Sequence, residues 1–494
     1  MHELARLDQR HVWHPFTQMS DWAKREPIVI VSGKGAVLRD ARGREYLDAN
    51  ASIWTNLHGH NHPRINAAIR AQLNRIAHSS ALGFANEPAS LLAERLVNAA
   101  NPPALTRGRS AGRRLEKVFY SDDGSTAMEV ALKLAYEFAR RSGRSRRPRF
   151  LSLENAYHGD TVGAVSLGHV DLFHKSWRGL LFGSDRVMAP YCYRCPYNRA
   201  KPERGDAREY RRCHWECVDE VERRFKAQRK RGNPYAAMVV EPVIQGVAGM
   251  VAHPGGWLRR VDQIVRGDGA QWIADEVMTG FGRTGVPGEG EGKGAGLFAS
   301  HREGVQPDYL ALAKGLTGGY LPMAATLTTR AVFDAFLGGY EEFKTFFHGH
   351  SFTGNQLGAA AARASLDLLE RPAGIRARQR LERTFRDELS RLWELPRVGD
   401  VRQAGLVAGV ELVKDWRTRK PFDLRERAGI RVCEAMAKRG VLTRPIGNVI
   451  VLMPPYCATA AQVSRMVGAL SESVNEVLRA PKGSVLGIDH SRKM

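Results

Sequence analysis

No run of 18 or more consecutive apolar residues occurs in this chain, so no α-helical membrane span is expected. Cysteine is scarce, with 6 in 494 residues, which excludes a disulfide-built scaffold. Aromatics are few at 8%, and almost none interleave with the basic runs, which argues against a base-stacking platform. Acidic residues are outnumbered, 52 against 74 Lys and Arg, for a formal charge of +22. The opening stretch Met1–Arg10 carries acids and lacks an apolar centre, so neither a secretory leader nor a transit peptide is expected there. The cytoplasm is the expected location. Hydrophobic residues nevertheless make up 43% of the chain, enough for a large core divided among two or three domains.

The positive charge gathers in two runs, over residues 140–149 and 223–231. Such runs suit either solvated helix ends and loops or an acidic surface such as nucleic acid. The missing aromatics favour the first reading.

Short apolar segments alternate with helical ones. Strands are expected at Ile28–Val31, Ala36–Leu38, Val118–Tyr120, Phe150–Leu153, Ala237–Glu241, Trp272–Asp275 and Tyr309–Ala313. Between them, Leu91–Ala100 reads as helix. So does the stretch after Thr126, whose apolar positions Ala127, Ala131, Leu134, Ala135 and Phe138 follow a helical period. Thr126 and Glu129 form a capping-box pattern there. This alternation predicts an α/β domain with a mostly parallel sheet. After residue 335 the pattern changes to a long helix, Gln356–Arg371, and a smaller mixed region. The expected division is residues 1–65 as a segment of the small domain, 66–335 as the large domain and 336–494 as the rest of the small one. Two stretches read as insertions: residues 190–233, which hold four cysteines, and the glycine-rich loop 285–304.

The chemistry concentrates at strand ends. Lys314 follows the apolar run Tyr309-Leu-Ala-Leu-Ala and precedes a glycine-rich turn. Desolvation lowers a lysine pKa, and a neutral amine forms a Schiff base with an aldehyde. Asp275 ends the run Trp272-Ile-Ala. A buried lysine and a carboxylate at two strand ends are what pyridoxal phosphate requires, the acid keeping the pyridine nitrogen protonated. Gly124-Ser125-Thr126, between a strand and a helix, offers amides and hydroxyls to an anion or serves as a plain N-cap. Tyr157-His158 follows the Phe150 strand and suits either stacking on a flat ring or local packing. Glu241 ends another strand as a candidate site carboxylate. Arg283 sits among glycines, in reach of a substrate carboxylate or an acid. His348–Gln356 is a second glycine and hydroxyl turn before a helix, fit for an anion or for a simple loop. Arg444 suits a bidentate pair with a carboxylate or a surface ion pair. Cys192, Cys195, Cys213 and Cys217 have the spacing of paired metal knuckles, fit for zinc, for an iron–sulfur cluster, or for reduced thiols alone.

Together these segments resemble the class III, fold-type I pyridoxal-phosphate aminotransferases over nearly the whole chain. Within that family the resemblance is to the branch that aminates 8-amino-7-oxononanoate in biotin biosynthesis. It rests on His11-Val-Trp-His-Pro-Phe-Thr-Gln-Met19, Asp48-Ala-Asn-Ala-Ser-Ile-Trp54 and Arg444-Pro-Ile-Gly-Asn-Val-Ile-Val-Leu-Met-Pro-Pro455. The resemblance implies a central sheet with helices on both faces, a smaller α+β domain, pyridoxal 5'-phosphate and a homodimer with shared active sites. It implies small-molecule substrates, and neither a membrane nor nucleic acid as a partner. By residue, Lys314 resembles the Schiff-base lysine and Asp275 the acid at the pyridine nitrogen. Gly124 and Ser125 are similar to the phosphate contacts. Tyr157 resembles the stacking tyrosine, with His158 beside it in the cofactor site and Asp160 in support. Ser351 resembles the hydroxyl that reaches the phosphate from a partner subunit. Arg444 resembles the grip on the substrate carboxylate, and Gly349 a further substrate contact. Glu241 and Arg283 are similar to wall residues. Phe16, Ile53 and Trp54 resemble the donor pocket. Phe16 stands where the adenosylmethionine pattern has tyrosine, and Ile53 where it has tryptophan, which favours lysine as donor over S-adenosylmethionine. Another ω-amino acid or diamine transaminase is the alternative that shares the same cofactor residues.

Overall fold

The computed structural model describes residues 1–106, 113–285 and 296–479. Seven strands make the large sheet: β1 (Leu115–Ser121), β2 (Phe150–Leu153), β3 (Asp185–Val187), β4 (Ala237–Val240), β5 (Gln271–Asp275), β6 (Tyr309–Leu312) and β7 (Ala324–Thr329). Their order across the sheet is β1-β7-β6-β5-β4-β2-β3. β7 runs antiparallel to both neighbours, while the pairs from β6 to β3 are parallel. Trp272, Ala274, Met238, Val240, Leu310 and Leu312 enter one core. Ile273, Val239, Ala237, Tyr309 and Ala311 enter the core on the other side. A sheet covered on both faces needs apolar residues at successive positions, which is why these strands read as unbroken apolar runs.

Helix α1 (Gly124–Arg141) lays Ala127, Ala131, Leu134 and Ala135 on one face of the sheet. On the other face pack α2 (Glu216–Lys230) and α3 (Trp257–Asp268), through Val221, Phe225, Val261 and Val265. The expected Thr126–Glu129 capping box is not the one that forms. Asp123 is the N-cap: its side chain accepts from the Thr126 amide, and the Thr126 hydroxyl accepts from the Asp123 amide. Asp123 is the better acceptor at that position, and Glu129 is turned to Thr161 and the Gly163 amide instead. Other expected bounds shift as well. The first strands run Ile30–Lys34 and Val37–Asp40, and the helix expected from Leu91 begins at Glu87 behind the Asn86 cap. The long helix α4 spans Gln356–Leu369. Residues 286–295 of the expected glycine-rich loop lie outside the described residues.

The C-terminal region builds an antiparallel sheet from Val398–Ala404, Val407–Asp415, Val449–Leu452 and Pro445–Ile446. N-terminal strands come to it: Val441–Leu442 pairs in parallel with Glu45–Asp48, and Leu47 and Ala49 share a core with Val410, Val441 and Leu452.

The cysteine-bearing insertion straps the two regions together. Tyr191 donates its hydroxyl to Glu411, and Arg194 reaches the same carboxylate at 2.7 Å. Arg204 donates to the carbonyls of Val398 and Leu395, both at 2.7 Å, and Arg208 to that of Gln403 at 2.7 Å. Beneath them Arg402 is buried, paired with Asp400 and Glu411 at 2.8 Å each and donating to the carbonyls of Gly249 and Met250. Much of the first basic run is likewise occupied. Arg141 holds the carbonyls of Ala335 and Lys344, Arg144 pairs with Asp268, and Arg149 pairs with Asp185. Among the described residues no helix is long and apolar enough to cross a membrane.

Candidate active site

The carboxyl ends of β2, β4, β5 and β6, with the N-terminus of α1 after β1, meet at one edge of the sheet, where open α/β sheets bind ligands. A cleft of about 440 Å³ opens there. Lys314 and Asp275 line it, as the strand-end reading expects. So do Gly124, Ser125, Tyr157, His158, Glu241 and Trp54.

Register explains the meeting of lysine and acid. Asp275 lies opposite Ala311 in the parallel β5–β6 pair, and the Glu276 amide donates to the Ala311 carbonyl at 2.9 Å. Lys314 follows three residues later, at φ 43°, as the first residue of a single 3₁₀ turn. Burial holds its amine below the usual lysine pKa, and the carboxylates of Asp275 and Glu241 oppose that shift. The amine lies 5.0 Å from the Trp54 ring centre.

Each neighbour is fixed by a second contact. His158, buried, meets Asp275 through Nδ1 at 2.7 Å, while the Val277 amide donates to the other oxygen at 3.1 Å. Glu241 accepts from the Gly246 amide at 2.8 Å and the Tyr157 amide at 3.4 Å, and burial pushes its pKa up to about 7. Tyr157 donates its hydroxyl to Asp160 at 2.6 Å, and the Asp160 amide donates to Ser125 Oγ at 3.1 Å. Gly159 makes that approach possible. Its φ is +124°, and a Cβ there would stand 2.2 Å from Ser125 Oγ.

A second chamber, of about 560 Å³, is lined by Phe16, Asp48, Ile53 and Arg444 among others. Arg444 is exposed there and makes no ion pair with a carboxylate among the described residues. Ile53 and Trp54, adjacent in sequence, face the two different spaces.

Not every expected residue comes to the cleft. Ser351 and Gly349 are exposed and line neither space, and the Ser351 carbonyl accepts from His78. Arg283 is buried and forms no ion pair with a carboxylate among the described residues; it donates to the carbonyls of Pro454 and Asn56 at 2.8 and 2.6 Å. The zinc or iron–sulfur expectation for Cys192, Cys195, Cys213 and Cys217 is not supported. Among the described residues no group of three or more His, Cys, Asp or Glu is placed to hold an ion. All four are free thiols; Cys217 is packed into the main core and Cys192 against Tyr193 and Ala207. Burial pushes both of those thiols up to about 12. One role was missed. Glu276, next to Asp275, is buried and accepts from the Ala299 and Ser300 amides and the Ser300 hydroxyl, pinning the segment beyond residue 295. Its only sequence signal is the doubled acid at a strand end.

The residues fit pyridoxal phosphate. A buried amine, a carboxylate steadied by histidine, a flat tyrosine and a helix N-terminus with a glycine-built cradle are set around one space.

The class III aminotransferase family model matches residues 18–474. The chain belongs to the class III aminotransferases. It is 47% identical over 470 residues to the adenosylmethionine-8-amino-7-oxononanoate aminotransferase of Geobacter sulfurreducens, covering 95% of this chain and 97% of that protein. The enzyme of the same name from Methanocaldococcus jannaschii superposes in its crystal structure with a TM-score of 0.84 at 38% identity, covering 96% and 99%. A PLP-bound amine transaminase from an uncultivated Pseudomonas species gives 0.83 at 32% identity, covering 94% and 99%.

Proposed function

We propose that this enzyme transfers an amino group to 8-amino-7-oxononanoate, giving 7,8-diaminononanoate in biotin biosynthesis. The observation that carries the reading is the placement of Lys314 and Asp275 at one sheet edge with Arg444 exposed in the adjoining chamber. The names of the similar enzymes support the acceptor. Pyridoxal phosphate, when bound, supplies an aldehyde and an electron-withdrawing ring. Lys314, its amine less basic than usual, would hold the aldehyde and carry a proton on Nζ. Asp275, oriented by His158, would keep the ring nitrogen protonated. Gly124 and Ser125, at the α1 N-terminus, would bind the phosphate, and Tyr157 would stack on the ring. Arg444 orients the substrate carboxylate with its planar fork.

For the donor we propose lysine, on the strength of Phe16 and Ile53 in the outer chamber. The similar enzymes carry adenosylmethionine in their names, so the assay runs both donors. A homodimer belongs to the same reading. Ser351 and Gly349 stand outside their own cleft, and Tyr340, Phe343, Phe347 and Phe352 around them are exposed. A cytoplasmic site of action accords with six unpaired thiols. The test is product formation from the keto acid with each donor, beside the visible absorbance of the cofactor-loaded protein. Lys314→Ala should abolish both product and the absorbance of covalently held cofactor; survival of either overturns the reading.

A further inference from the structure

Four consecutive residues with side chains, Ala51, Ser52, Ile53 and Trp54, have φ of 43°, 48°, 60° and 69°. This is a left-handed helical turn, closed by hydrogen bonds from the Trp54 amide to the Asn50 carbonyl and from the Thr55 amide to the Ala51 carbonyl, both 2.9 Å. Left-handed backbone is unfavourable for any residue with a Cβ, most of all for a β-branched one such as Ile53, and it persists only where the surroundings impose it.

Here the surroundings are one carboxylate. Asp48 is 3% exposed at the end of its strand. Its Oδ1 accepts from the amides of Asn50 at 3.3 Å and Ser52 at 3.1 Å; its Oδ2 accepts from Ser52 Oγ at 2.8 Å and meets His60 Nε2 at 3.0 Å. The tautomer of His60 follows from its other side. Asn56 Nδ2 donates to Nδ1 at 2.9 Å, so Nε2 carries the proton and donates to Asp48. Asn50 then holds the far end of the turn, its Oδ1 accepting from Trp54 Nε1 at 2.9 Å. The left-handed path is what sends Ile53 into the chamber of Arg444 and Trp54 into the cleft against Lys314. A right-handed turn rotates successive side chains in the opposite sense and cannot serve both spaces in that order.

We propose that Asp48, relayed by His60 and Asn56, is a positioning residue for the transamination: its carboxylate imposes the left-handed turn that sets Trp54 against Lys314 and Ile53 across the substrate chamber. The kinetic part rests on the transaminase reading above; the conformational part does not.

Two measurements test it. The first compares thermal melts of Ile53→Gly and Ile53→Ala, which differ only by a Cβ. In a left-handed turn the glycine variant melts at or above the alanine variant; a clearly lower melt for glycine, as in a right-handed helix, overturns the geometry. The second takes Asp48→Ala, or Asp48→Asn if the first does not fold, alone and in a Trp54→Phe background. The near-UV circular dichroism should change in the first background and not in the second. The kcat/KM for the keto acid should fall at least about tenfold, as expected when a wall of the site is misplaced. A dichroism change of equal size in both backgrounds, or kcat/KM unmoved, overturns the role of Asp48. Should the parent protein itself fail to transaminate, the melts and the dichroism still decide the conformational claim.

Discussion

Replacing Arg402 with methionine removes the one cation paired with Asp400 among the described residues. Both carboxylates beside Arg402 are buried, Asp400 at 2% exposure and Glu411 at 5%. Glu411 retains Tyr191 and Arg194, whereas Asp400 Oδ1 has no hydrogen-bond partner among the described residues even in the parent. Taking one partner from a buried pair costs roughly 3–5 kcal/mol, because a charge is left without compensation. Across a lobe of this size that lowers Tm by roughly 6–20 °C near pH 8. The pH dependence sharpens the case. Burial pushes the Asp400 pKa up to about 6 in the folded protein. A carboxyl raised on folding binds more protons in the native state, so its contribution is fully present below its ordinary pKa and is lost as pH rises through 6. Without Arg402 the folded pKa climbs further, and the loss extends above pH 6. The gap between parent and variant should therefore widen from pH 5.5 to pH 8. Asp400→Asn in the Arg402→Met background should remove most of that widening. Scanning calorimetry at four pH values reads both effects. A gap that is constant with pH, or a variant as stable as the parent at pH 8, refutes the idea that Asp400 is ionised and held by Arg402.

Other consequences are as direct. Arg444→Met should raise KM for the keto acid by about 10–100-fold, the worth of a charge-assisted bidentate contact, with kcat changed far less; equal loss in kcat would place Arg444 elsewhere in the reaction. Gly159→Ala should weaken cofactor retention, measured by equilibrium dialysis, because its Cβ would stand 2.2 Å from Ser125 Oγ at φ +124°. Unchanged retention would show that the cradle yields. Metal analysis of the purified protein should find no stoichiometric zinc or iron, and Cys195→Ser should leave Tm nearly unchanged; a bound equivalent would reverse the reading of the four thiols.

The parts of this enzyme legible in its sequence are those where one residue type answers one local demand. Unbroken apolar runs report strands covered on both faces, so Asp275 and Lys314 stand out as charges at their ends. The helix of α1 was legible from its period, but its cap was not, because Asp123 and Thr126 both fit the pattern and only the turn geometry decides between them. Arg283 resembled a ligand for an acid; its two carbonyl partners lie at residues 56 and 454, and no sequence window holds all three. The same holds for the turn at Ala51–Trp54. Its residues have ordinary propensities, and its handedness comes from a carboxylate and a histidine outside it.

The strap of residues 191–208 bears on how substrate enters. Opening the C-terminal lobe as a hinged jaw would tear Tyr191 and Arg194 from Glu411, and Arg204 from two carbonyls, in one motion. For an entering substrate, any outward swing of that lobe is therefore tied to release of the strap.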